Sequence, residues 1–233
     1  MREATVSELV RMWVDGWIVS RGASDPIDEP WGWTVDMGQA AHVSRHVLPE
    51  PTEAEVRKIV AGTSAPGTWL KLFAPDDTVR PWLGPGWRFD QPGFLMTVPL
   101  APERPVVPAG YTLTRWTRGG VTRVLVRTAE GHFAARGQVA PTGRTAGVDQ
   151  IETAPAHRRR GLGSLVMRTL QDTAHAAGAT TGILVGTPEG RALYTALGWT
   201  TRSPMASLWY EPATTSTATD PATDAATAAD DEI

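Results

Sequence analysis

The chain has 233 residues, with 22 basic and 25 acidic side chains, five histidines and no cysteine. That length holds one large domain or two small ones, either able to bury its own core, and the missing cysteines exclude disulfides, thiolate-ligated metals and an acyl-cysteine route. No apolar run approaches the ~20 residues that span a bilayer, and the acidic start Met1-Arg2-Glu3 lacks an apolar segment, so a cytoplasmic protein with no signal peptide and no membrane partner is expected.

In chain order, residues 5–20 place Leu9, Met12, Trp13, Trp17 and Val19 at helical spacing, with Thr5 or Ser7 as the cap. Residues 31–36 and 42–48 alternate like paired strands around Gly38, and this alternation puts Trp31 and Trp33 on one face. Residues 51–61 read as a short helix and 68–73 as a strand. Prolines 99, 102, 105 and 108 make residues 99–110 an extended connector. Segments 111–116, 122–128, 132–139 and 148–153 form a strand series with glycine-containing turns. A helix over 161–177 ends at Gly178, a strand follows at 181–185, a helix at 189–197 and a closing strand at 205–210. The last 21 residues hold seven Ala, six Thr, five acids and one large apolar residue, a composition that predicts disorder.

The formal net charge of −3 is a sum of unlike parts. Residues 1–104 carry −4, residues 105–212 carry +6 and residues 213–233 carry −5. The basic middle suits an anionic ligand, whether cofactor phosphates or nucleic acid. Twenty of the 22 basic residues are arginine, so a single arginine cluster means less here than elsewhere. There is also an internal echo. Residues 68–75 and 181–188 share a Thr-to-Pro spacing of seven; each leads through a helical segment to a Leu-Gly…Trp ending (82–87 and 196–199), then to an apolar strand containing Met96 or Met205. The spacing suggests two related half-domains rather than a solenoid.

Residues 148–170, VDQIETAPAHRRRGLGSLVMRTL, run from a strand through an Arg/Gly turn into a helix. Gly161 and Gly163 let backbone approach a ligand, and the helix start directs free N–H groups at the turn, a site for phosphate. A Walker loop is ruled out because neither Lys58 nor Lys71 follows a glycine, and a dinucleotide fingerprint fails at Val166. The remaining pattern, Arg158-x-x-Gly161-x-Gly163, resembles the pyrophosphate loop of the GNAT (Gcn5-related N-acetyltransferase) superfamily. The strand exit Thr153–Arg158 and the run Leu193-Tyr194-x-x-x-Gly198-Trp199 are similar to that family's motifs on either side of the loop. The likeness is good over about 110–210 and weak over 1–100. Two departures stand out: Thr187 replaces the family's usual Asn, and only residues 117–121 stand where two helices normally follow the first strand.

The resemblance implies an α+β fold with a mixed, mostly antiparallel central sheet flanked by helices. With the echo, it implies two GNAT-like halves: a degenerate one at 1–104 that forms part of the substrate cleft, and an acetyl-CoA-binding one at 105–212, followed by the acidic tail 213–233. The implied reaction is acetyl transfer from acetyl-CoA directly to the amine of a small molecule or a protein. The alternative is a CoA-binding sensor or structural module without turnover. Arg158, Arg159, Arg160, Gly161, Leu162, Gly163 and Ser164 would hold the pyrophosphate, and a backbone N–H of the strand carrying Ile151 and Thr153 the thioester carbonyl, where that strand parts from 181–185. Tyr194 falls at the general acid's place. Strict alternation puts Asp149, Ile151 and Thr153 on one face and Gln150 and Glu152 on the other; the odd-numbered face matches the one that carries base candidates in the family, and that resemblance favours Asp149 as base, directly or through water, with Glu152 second. An amine arriving neutral would need neither.

Plainer readings stand beside these. The arginine run could be a solvated turn, Tyr194 a half-buried packing residue, and Asp149 the partner of Arg136 or Arg123 on a neighbouring strand. His42 and His46 lack the context of a zinc site, so no metal is expected. The basic half lacks a groove-reading motif, so no nucleic-acid partner is expected either. A monomer or a homodimer is compatible with the halves.

Overall fold

The computed structural model describes residues 3–212; the predicted acidic tail lies outside the described residues. Helix α1 (Val6–Arg21) begins at a reciprocal capping box between Thr5 and Glu8 and ends at left-handed Gly22. The hairpin strands β1 (Ile27–Glu29) and β2 (Gly32–Gln39) lead to β3 (His42–Leu48). Helix α2 (Glu53–Gly62) starts at a second capping box, Thr52 with Glu55. Strand β4 (Thr68–Leu72), the single turn α3 (Asp76–Val79), and strands β5 (Trp87–Phe89) and β6 (Gly93–Pro99) complete the first part. After the proline connector come β7 (Tyr111–Arg118), β8 (Val121–Thr128), β9 (Phe133–Thr142), β10 (Thr145–Thr153), α4 (Leu162–Ala176), β11 (Thr181–Gly186), α5 (Pro188–Ala196) and β12 (Thr200–Tyr210).

All strands join one sheet in the order β1-β2-β3-β4-β12-β6-β11-β10-β9-β8-β7, with β5 against β12. The order is the same from both ends at its centre. β3 and β4 are parallel, as are β10 and β11, and each pair is followed by antiparallel steps. The last strand of each part crosses over: β6 pairs with β11, and β12 pairs with β4. The echoed segments therefore occupy matching places, β4 opposite β11 and β6 opposite β12. This is the α+β, GNAT-type architecture expected from the sequence.

Alternate residues of the sheet feed opposite layers. On one face α1 packs Leu9, Val10, Trp13, Val14 and Trp17 over Val47, Phe73, Leu95, Ile183 and Met205. On the other, α4 and α5 cover Met96, Val124, Val139 and Val148, while α2 covers Leu48, Leu70, Leu72 and Leu208. Helix α1 approaches β10 so closely that a Cβ on Gly16 would lie 2.8 Å from Gly147 Cα. It lies across β9, β10 and β11, the strands of the second part. Trp31 and Trp33 do not share a face. Trp31 sits in the turn before β2 and joins the α2-side core, whereas Trp33 joins the α1 side.

Candidate active site

Strands β10 and β11 pair only from Thr145–Thr181 to Gly147–Ile183 and then diverge. Two features separate them. β11 is taken along its whole length by β6 on its other side, and β10 carries a bulge between Asp149 and Glu152 with Gln150 at φ 54°. An extra residue at a bulge turns the following side chains over. This corrects the strict alternation expected for the strand: Asp149 faces α1, whereas Ile151 lies across Gly137 with Val166 and Leu170 on the α4 side.

Beyond β10 the chain makes a short 3-10 turn at Pro155–His157, passes Arg159 in a left-handed conformation (φ 62°), and enters α4 at Gly161. Gly161 adopts φ 78°, a conformation a side chain would strain, and no side chain caps the helix. The first amides of α4 are thus free to meet an anion. Gly163 is needed for space, since a Cβ there would come within 2.9 Å of Leu193 Cδ2 on α5.

A cleft of about 880 Å³ runs from this loop to α1. Ile151, Thr153, Arg158, Arg159, Gly161, Leu162, Gly163 and Ser164 all line it, as do Asp149, Glu152 and Tyr194. Arg160 is not among the lining residues: its guanidinium turns to Tyr111 Oη at 3.2 Å, which also meets His157 Nδ1 at 3.1 Å. Thr187, the departure from the family pattern, caps α5 by accepting the Gly190 amide at 3.2 Å. Tyr194 is buried against Trp199, and its ring fits because residues 186 and 190 are glycines. Burial, with Asp149 adding repulsion, pushes its phenol up to about 12, so it stays a proton donor at neutral pH.

Asp149 is gripped from α1. Arg21 donates through both Nε and Nη2 (the latter 2.9 Å to Oδ1), Ser20 Oγ donates at 3.0 Å, and the Gln150 amide at 2.8 Å. Gln138 in turn donates to Ser20 Oγ at 2.7 Å. The pair holds the Arg21 guanidinium above its ordinary value, chiefly through the hydrogen bonds to Asp149. Arg136, one expected partner of Asp149, is instead paired with Glu152 at 2.8 Å on the exposed rim. Arg21 and Ser20 are the site residues that sequence reasoning missed; they lie 128 and 129 positions from their partner, beyond any spacing rule. A second groove, about 540 Å³, meets the cleft at Gln150 and Glu152 and spreads over the uncovered faces of Trp116 and Phe133.

The geometry offers an anion seat at α4, a slot between parted strands, and an acid, a carboxylate and a guanidinium at the inner end. Residues 101–199 match the profile of a family described as Acetyltransferase (GNAT) family. No protein of curated function matches the sequence. Among solved structures, a GCN5-related N-acetyltransferase from Kribbella flavida superposes with a TM-score of 0.63 at 18% identity, covering 91% of this chain and 97% of that one. A putative acetyltransferase from the GNAT family of Novosphingobium aromaticivorans gives 0.55 at 18%, covering 90% and 99%. A GCN5-related N-acetyltransferase-like protein from Streptococcus suis gives 0.55 at 13%, covering 88% and 98%. At these identities the likeness speaks for the fold, and it extends over nearly the whole chain.

Proposed function

We propose, from the match of residues 101–199 to the GNAT acetyltransferase family, that the protein is an acyl-CoA N-acyltransferase that moves an acetyl group from acetyl-CoA directly to an amine. The observation that carries this is the slot between β10 and β11 opening onto the uncapped start of α4. The amides at Gly161–Ser164 with Arg158 and Arg159 suit the pyrophosphate, and the slot suits an extended pantetheine arm. Acetyl-CoA supplies an activated carbonyl with a thiolate leaving group. At Ile151–Thr153 the strand turns away from β11, so a backbone N–H there can steady the carbonyl oxygen as it gains charge.

The amine forms a C–N bond to that carbonyl as the C–S bond breaks; one proton leaves the amine and one must reach the sulfur. Tyr194, protonated and at the inner wall, is the donor. Asp149 receives four donors already, so we assign it to attracting and orienting the ammonium group, with proton removal passing through water rather than by direct contact. Glu152, paired on the exposed rim, is the weaker candidate. We read residues 1–104 as a degenerate second copy: the parallel pair β3–β4 stays zipped from Ser44–Thr68 to Leu48–Leu72, and Phe73 stands where Gly186 makes room for Tyr194. Its contribution is the wall of the cleft, delivered by α1.

Mass spectrometry of an amine panel incubated with acetyl-CoA should show the acetyl increment. Arg158→Glu should weaken acetyl-CoA binding at least tenfold. Tyr194→Phe should leave that binding intact and lower kcat by roughly 10²–10³, the range of a lost general acid. Absence of saturable acetyl-CoA binding would overturn the reading, and binding with no turnover on any amine would select the sensor alternative.

A further inference from the structure

One turn before Arg21, α1 presents Trp17, and over its ring lies the guanidinium of Arg45 from β3, 4.7 Å from the centroid. The same guanidinium lies 5.5 Å from the Trp69 ring centroid. Trp69 is flanked by His42, stacked at 4.6 Å, and by Trp209 at 6.5 Å. Beneath it, Lys71 from β4 is buried with its ammonium 4.6 Å from the same ring and bonded to Ser207 Oγ, which donates to Asp90. Two basic side chains thus share one aromatic shelf, and among the described residues neither has a carboxylate of its own. Asp149 belongs to Arg21, and Asp90 reaches Lys71 only through a hydroxyl.

Arg45 is the informative member. Among the described residues its Nε is buried with no hydrogen-bond partner, and its one side-chain hydrogen bond there is Nη2 to His42 Nδ1 at 3.3 Å. His42 is driven towards its neutral form by burial and then by Arg45, so it can only accept there. A buried guanidinium nitrogen without an acceptor is costly to fold, and a bound ion or ligand that supplies the acceptor is one explanation for it. The free edge is planar and forked, the geometry that grips a carboxylate or a phosphate in two places. Trp17 stands one turn before Arg21 on α1, so the Arg45 guanidinium over its ring lies on the stretch of α1 that carries Arg21 to Asp149.

We infer that the acceptor amine carries an anionic oxygen group a few bonds away, carboxylate or phosphate, which Arg45 takes over the Trp17 and Trp69 rings while the amine meets Asp149. This rests on the acyl-transfer reading above and adds the acceptor's chemical class to it. The amine end finds a carboxylate and the acid end a guanidinium, so the acceptor is read at both ends and its register towards Tyr194 is fixed. Lys71 stands behind the same shelf, its ammonium nitrogen 4.6 Å from the Trp69 ring.

The test uses acceptor pairs that differ by the anionic group alone: lysine with cadaverine, phenylalanine with phenethylamine, and glucosamine 6-phosphate with glucosamine. The wild-type protein should favour the anionic member of at least one pair tenfold or more in kcat/KM, and the pair that shows it separates carboxylate from phosphate. Arg45→Gln should bring that ratio close to one, with Arg45→Lys between, while acetyl-CoA binding, measured on each variant, confirms the fold. A direct arm needs no turnover: propionate and inorganic phosphate are titrated against tryptophan fluorescence. At least one of them should produce a saturable change in the wild type that is absent in Arg45→Gln. Equal ratios within every pair and no saturable anion response would overturn the assignment, as would an Arg45→Gln variant that kept both. Failure of the wild type to bind acetyl-CoA would fall on the acyl-transfer reading, and the fluorescence arm would still decide the anion seat.

Discussion

Asp149, half-buried, and Lys71, buried, show two ways in which a single charge is handled, and each has a consequence. Asp149 is a candidate in the sequence because it stands on the strand before the Arg/Gly loop, and the turn at that loop is legible because its glycines act through local backbone geometry. Its surroundings were not legible. The bulge rests on Gln150 at φ 54°, a conformation no feature of the sequence announces, and its counter-ion arrives from a helix 128 positions away. Lys71 had no local signature at all. Burial, then repulsion from Arg45, lowers its ammonium to about 7 from an ordinary 10.5. Below pH 7 both folded and unfolded chains hold this proton and the full desolvation cost is present. Between pH 7 and about 10 the unfolded chain keeps a proton that the folded chain has released, so stability rises with pH. Lys71→Met should therefore stabilise the protein at neutral pH by on the order of 2 kcal/mol and flatten that rise. Urea midpoints from pH 6 to 10 check both; a variant no more stable than the wild type at pH 7 would contradict the buried-cation account.

Among the elements, helices with their own start signals were read from sequence to within a residue or two. Thr5, one of the two caps expected for the first helix, forms a capping box with Glu8, and Thr52 forms one with Glu55, because capping is settled inside four residues. The three-residue strands β1 and β5 escaped, being too short to show a period. What no pattern revealed is that α1 crosses to β9–β11 and covers one face of strands from the other part of the chain. That crossing depends on two glycines meeting: Gly16 and Gly147 leave no room for a Cβ on either. Gly16→Ala should force the helix off the sheet and destabilise the protein by about 1–3 kcal/mol, the usual cost of overpacking. Because the same helix carries Arg21 to Asp149, kcat should fall in parallel although the substitution touches no ligand. Alanine at 16 tolerated with unchanged midpoint and unchanged turnover would mean that α1 does not set the cleft.

For the molecule as a whole, the exchange of β6 and β12 decides how it unfolds. Each part of the chain lends its last strand to the other, and the α1-side core draws Leu95, Ile183 and Met205 from three strands on both sides of the connector. Among the described residues, four ion pairs also cross between the parts: Glu3–Arg202, Arg21–Asp149, Arg88–Glu211 and Glu103–Arg168. Exposed pairs contribute little each, so the shared core and the exchanged strands carry the coupling. Removing either part would open the edge of β4 or β11 and expose the apolar face beneath α1, so neither 1–104 nor 105–212 should fold alone. The intact chain should unfold in one step. Seven of its ten tryptophans lie before residue 105, so fluorescence follows the first part while far-ultraviolet dichroism follows both. Coincident urea transitions by the two probes are expected. A fluorescence transition that precedes the dichroism would show the N-terminal part melting away from an intact C-terminal part, and the strand exchange would then be a contact between two separable units rather than the tie that makes them one.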